Sequence, residues 1–180
     1  MQDAAARIAK AEGLENEQRW KDALASWRSL AAETRDLRFV IRAAIAAENA
    51  DMTVEAERLY RDAIAAAPKE SHAYFGLGLL LKKRGRFEAA REVLQIGVAL
   101  EEQPLVLAIL GAIQRHLGDP AAEATLRRSL ELDPANDEAH ISLARALDGD
   151  KPLEAIEHLR RAHKLVSDLL NNRSRRRARC

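Results

Sequence analysis

Side chains able to bind a metal or move protons near neutral pH are few in this chain: five histidines and one cysteine among 180 residues. A metal site or a His-based catalytic site needs its groups brought to one point, and short spacings such as His-x-x-x-His or Cys-x-x-Cys do this. His158 and His163 are five apart, which puts them on different faces of a helix. None of the other histidines has a companion at ligand spacing, and Cys180 is alone at the end of the chain. There is no His-Glu-x-x-His, no Gly-x-x-x-x-Gly-Lys and no Gly-x-Ser-x-Gly. Gly76-Leu77-Gly78 follows no strand pattern, so it is a packing feature rather than a phosphate loop. The carboxylates are scattered, with Lys or Arg neighbours four residues away. These observations argue against an enzyme and against a metal or other cofactor. One concentrated charge remains. Arg173, Arg175, Arg176, Arg177 and Arg179 crowd the last ten residues with no acid among them, leaving the preceding body at a net charge of −4. Such a segment is a candidate contact for a polyanion or a solubilising end, and without aromatics it offers bases no stacking platform.

The elements that would carry a site follow from apolar spacing. Residues 71–104 read as two helices joined at Lys83-Arg84-Gly85-Arg86, the first with Tyr74, Leu77, Gly78 and Leu81 on one face. The second carries Phe87, Ala90, Leu94, Gly97 and Leu100 at three- and four-residue steps. The small residue of this second helix is a ruler for the whole chain. Ala23, Ala56, Ala90, Ala122 and Ala155 are separated by 33, 34, 32 and 33 residues. Four residues after each stands Trp27, Tyr60, Leu94, Leu126 or Leu159; seven after each stands Leu30, Ala63, Gly97, Ser129 or Ala162. Thr53 is expected to cap the second helix of repeat two, and Gly118-Asp119-Pro120 to stop one helix and start the next. His140 falls in the slot held by Tyr74, which makes it a core or half-buried histidine.

The run large-x-x-Leu-Gly-x-x-Leu, then Gly-x-Phe-x-x-Ala-x-x-x-Leu, resembles the tetratricopeptide repeat, a helix–turn–helix unit of ~34 residues. The resemblance covers residues 2–34, 37–68, 71–103, 104–134 and 136–166, with a degenerate first helix in repeat one. Repeat three lacks the usual closing proline, and Pro104 comes two residues late. The resemblance implies an all-α, right-handed superhelical solenoid of antiparallel helix pairs. Residues 1–170 would form one array, with helix A of each pair on the concave side and helix B on the convex side, and 171–180 a basic, disordered tail.

On that arrangement Ile41, Ile45, Phe75, Leu79, Ala108, Ala112 and Ile141 would floor a groove. Arg38, Arg42, Lys82, Lys83, Arg115, His116 and Arg145 would stand along it. The same stripe would serve equally well as packing between neighbouring helices A. The lysine and asparagine that clamp a C-terminal carboxylate in some members of this family are replaced here by Ile, Phe, Leu and Ala.

The function expected is a non-enzymatic scaffold or adaptor holding a peptide segment or partner protein in its groove. Two other readings stand beside it: a regulatory or substrate-positioning module of an enzyme, and a nucleic-acid-associated protein using the Arg-rich tail. Nothing resembles a membrane span or a secretory leader, and the single cysteine fits a reducing, cytoplasmic setting. At the C-terminal end Leu159, Leu165, Val166, Leu169 and Leu170 lack a sealing helix. Either Glu157, Arg160, Arg161 and Lys164 solvate that end or it packs on another copy; a solvated monomer is preferred.

Overall fold

The five ruler alanines are all buried, Ala23, Ala56 and Ala90 at 0 % exposure, Ala122 at 6 % and Ala155 at 3 %. The protein, a computed structural model, is described over residues 2–147, 149 and 151–177, with side chains from residue 4 to 168 inside those limits. Among the described residues there are ten helices and no strand. They are α1 (Gln2–Asn16), α2 (Trp20–Thr34), α3 (Leu37–Asn49), α4 (Thr53–Ala66), α5 (Ser71–Lys83), α6 (Phe87–Leu100), α7 (Pro104–His116), α8 (Ala122–Leu132), α9 (Asp137–Leu147) and α10 (Pro152–Arg177). Consecutive helices pair as antiparallel hairpins, the all-α solenoid class. Two compact units contain them: Met1–Leu100 with three hairpins, and Glu101–Cys180 with two.

One turn geometry closes helix A in four repeats. Gln18, Asp51, Gly85 and Gly118, spaced like the ruler, all have left-handed backbone, with φ of 58°, 60°, 70° and 70°. After each, a backbone N–H reaches five residues back: Arg19 to Leu14, Met52 to Ala47, Arg86 to Leu81 and Asp119 to Gln114, at 2.8–3.0 Å. This satisfies carbonyls the helix end would otherwise leave bare. Only Gly takes that conformation without a Cβ penalty, so repeats one and two carry strain that three and four do not. The starts of helix A are capped by side chains in three cases: Asp36 accepts from Arg38 N–H, Glu70 from His72 N–H and Asn136 from Ala139 N–H. Thr53 does not cap α4. Met52 holds that position without a side-chain bond, because the tight turn at Asp51 brings Thr53 into the first helical residue.

Small residues set how closely helices approach. Leu94 fills the space a Cβ on Gly78 would occupy, and Leu126 does the same at Gly111. Charged pairs then recur between successive helices B at fixed ruler offsets. Arg28–Glu55 (3.1 Å) and Arg127–Glu154 (2.6 Å) are one set; Glu57–Arg86 (3.1 Å) and Glu123–Lys151 (2.9 Å) are another. They are largely exposed, so they fix register more than they add stability.

Candidate partner-binding faces

In the unit Met1–Leu100 the helix A face is built by α3 and α5, which touch along it. Ile45 and Leu79 stand at equivalent places on the two helices, 39 % and 37 % exposed, with Ile41 half-buried beside them. Phe75 does not join them. It is 5 % exposed, and its ring lies against Gly97 of α6, where an added Cβ would come within 2.8 Å. Gly97 leaves a hollow that the ring fills, so Phe75 closes the α5–α6 contact instead of offering a surface.

Most of the expected cations on this face are already engaged. Arg38 forks onto Asp36, and its side-chain and backbone donors hold that carboxyl below the usual range. Arg42 pairs with Glu15 of α1 at 2.5 Å and lies 4.9 Å over the Trp27 ring. The Trp27 indole N–H donates to the other Glu15 oxygen at 2.7 Å, and Phe39 stacks on the same indole. These four side chains tie α1, α2 and α3 together. Lys83 reaches Glu48 of α3 at 3.5 Å. Lys82 makes no ion pair among the described residues, and its charge is the one left uncompensated beside Leu79.

In the unit Glu101–Cys180 the corresponding face belongs to α7 and α9. Ala108 is fully buried, Ala112 and Ile141 are half-buried, and Arg145 is exposed. Arg115 is half-buried, with its Nε lacking a hydrogen-bond partner. The alanines let α7 and α9 lie close. The side chains of Arg173, Arg175, Arg176 and Arg177, and all of Arg179, lie outside the described residues; the α10 backbone is helical through Arg177.

The second unit also joins two histidines whose sequence spacing shows no relation. His140 and His158 are 3 % and 8 % exposed, with their Nδ1 atoms 2.9 Å apart. His140 Nε2 lies 3.1 Å from the Pro134 carbonyl, which only accepts, so that nitrogen carries the proton. His140 Nδ1 is then the acceptor and His158 Nδ1–H the donor. Burial holds His158 below the ordinary histidine value; His140, Arg161 and Arg127 act the same way, and Glu154, 3.7 Å from Nε2, opposes them. The signal was present in the repeat: Tyr74, 66 residues before His140, donates its hydroxyl to Pro68 at 3.0 Å in the same slot. The imidazoles border a cavity of about 280 Å³ with Arg127, Glu131 and Arg161 on its wall. Among the described residues no three His, Cys, Asp or Glu side chains converge as metal ligands, and no helix is long and apolar enough to cross a membrane.

Comparison with known proteins agrees with this architecture. Residues 44–113 match the tetratricopeptide repeat family model. A Komagataeibacter xylinus protein, cellulose synthase 2 operon protein C, is 31 % identical over 112 residues, 60 % of this chain. The chain spans only 8 % of that relative's length. Among solved structures, MamA from Desulfovibrio magneticus RS-1 superposes with a TM-score of 0.76 at 20 % identity, covering 92 % of this chain and 96 % of the other. PilF of Pseudomonas aeruginosa gives 0.78 at 18 % identity, covering 89 % and 75 %. At these identities the likeness is one of fold.

Proposed function

We propose that this chain, whose residues 44–113 match the tetratricopeptide repeat family model, is a non-enzymatic scaffold that holds a segment of a partner protein along its helix A face. Ile45 and Leu79, exposed at equivalent places on the touching helices α3 and α5, with Lys82 three residues beyond Leu79 and without an ion pair among the described residues, carry this reading. A partner would bury the two aliphatic side chains and place an acceptor or carboxylate at Lys82. Helix A surfaces are suited to this because packed helices hold the side chains in place before the partner arrives, which lowers the ordering cost of binding. Paired Arg38, Arg42 and Lys83 keep the surrounding face near neutral, so apolar contact would dominate over charge.

The cellular setting we propose is the cytoplasm, and the state a monomer. The experiment is affinity capture followed by mass spectrometry, with wild type beside a variant carrying Ile45→Ser and Leu79→Ser. A polypeptide captured by wild type and lost from the stably folded variant supports the reading. Capture unchanged by the substitutions refutes this face. Recovery of an enzyme would favour a regulatory or substrate-positioning module, and nuclease-sensitive material a nucleic-acid-associated role.

A further inference from the structure

Leu159 occupies in the last repeat the slot that Trp27, Tyr60 and Leu126 hold in repeats one, two and four. Those three are 1 %, 2 % and 0 % exposed, whereas Leu159 is 49 % exposed. What differs is the covering helix. Trp27 stacks on Phe39 of α3, the Tyr60 ring fills the space above Gly76 of α5, and Leu126 clusters with Leu143, Ala144 and Leu147 of α9. Helix α10 packs on α9 through Ala155, His158 and Ala162, and its adjoining face stays open. Ile156, Leu159 and Val166, 46 %, 49 % and 40 % exposed, run along that face at three- and seven-residue steps.

The charge beside this stripe is one-sided. Arg160 and Lys164 are exposed and make no ion pair among the described residues, while Arg127, Arg128 and Arg161 all have carboxylate partners. From residue 160 to the end, the sequence has eight basic residues and one acid. A second α10 set against the first would bring like charges together, which disfavours self-association here. A slot closed elsewhere by a whole helix calls for a helix, and the helix that closes Leu126, α9, itself begins with Asp137 and Glu138.

We propose that the open face of α10 docks, in trans, an amphipathic α-helix of a partner protein flanked by acidic side chains. This surface is separate from the helix A face of α3 and α5, so either site can fail without the other. The probe is a fluorescently labelled designed peptide of about 20 residues, long enough for a stable helix, with a Leu/Ala stripe and Glu flanks. Its control carries the same stripe with Lys flanks. Anisotropy with the full chain should show the Glu peptide binding at least about tenfold more tightly than the Lys peptide at low salt, with the gap narrowing as salt rises. Leu159→Glu should abolish binding with the melting temperature unchanged, since the side chain is half exposed. Arg160→Glu combined with Lys164→Glu should reverse the peptide preference. Equal affinity for the two peptides, or wild-type binding by Leu159→Glu, overturns the proposal. So does sedimentation that shows a dimer dissociated by Leu159→Glu, because a second copy would then be the occupant.

Discussion

The His140–His158 hydrogen bond should make the second unit measurably less stable in mild acid. His158 is held below its ordinary value, so the folded chain resists the proton that the unfolded chain accepts. Above about pH 6.5, the reference histidine value, neither state binds it and the contribution is complete. As pH falls below 6.5 the unfolded state takes up the proton first, and stability declines until the folded pKa is passed. Every charged group facing His158 enters this balance. Arg127 from α8 and Arg161 from its own helix disfavour the proton, and Glu154 favours it.

The perturbation is His158→Leu, which leaves His140 Nδ1 buried without a donor and should cost about 1–3 kcal/mol at pH 7.5. For a chain of this size that corresponds to a fall of roughly 3–9 °C in melting temperature. Adding His140→Tyr should recover part of the loss, since Tyr74 already makes the equivalent bond to Pro68. The assay is thermal denaturation followed by circular dichroism between pH 5.5 and 7.5, a window that avoids most carboxylate titration. Wild type should lose stability across it, and the double variant should show a shallower slope. Parallel pH slopes for wild type and both variants would refute the reasoning.

Ala90→Leu should cost about 1–3 kcal/mol in chemical denaturation, because Ala90 is 0 % exposed between helices and an isobutyl group overpacks it. Gln18→Gly should gain about 0.5–1 kcal/mol by relieving a non-glycine residue at φ 58°, whereas Gly85→Ala at φ 70° should lose a similar amount; equal responses would refute the shared turn geometry. Gly13→Ala should stabilise α1 by about 0.5–1 kcal/mol, since nothing lies within 4 Å of the added methyl, while Gly76→Ala should destabilise by about 1–3 kcal/mol against the buried Tyr60 ring.

Fold and candidate site differ in how far the sequence reveals them, and the reason is physical. The ruler alanines, their +4 partners and the Gly85 and Gly118 turns are legible because each obeys a local constraint repeated about every 33 residues. Close helix approach needs a small residue, and a left-handed turn favours Gly. Gln18 and Asp51 escaped the same reading because they take the left-handed conformation at a cost that composition does not display. Phe75 was misplaced for a similar reason. Its spacing from Leu79 is that of a groove stripe, yet Gly97 on the next helix opens a hollow into which it turns.

Charge shows the same limit more sharply, because its meaning depends on partners a whole repeat away. Arg42 reads as a rim cation in a local window, but Glu15, 27 residues earlier, neutralises it. The same 27-residue separation recurs in Arg28–Glu55 and Arg127–Glu154. At these three places opposite charges meet between corresponding helices of neighbouring repeats, α1 with α3, α2 with α4 and α8 with α10. Lys82, Arg160 and Lys164 also stand 27 residues after an acid, Glu55, Asp133 and Asp137, yet make no ion pair among the described residues, so spacing alone does not tell a paired cation from one without a partner. The two surfaces proposed for this chain share a pairing that sequence spacing does not show, an exposed aliphatic side chain near a cation with no ion pair among the described residues: Leu79 with Lys82, and Leu159 with Arg160 and Lys164.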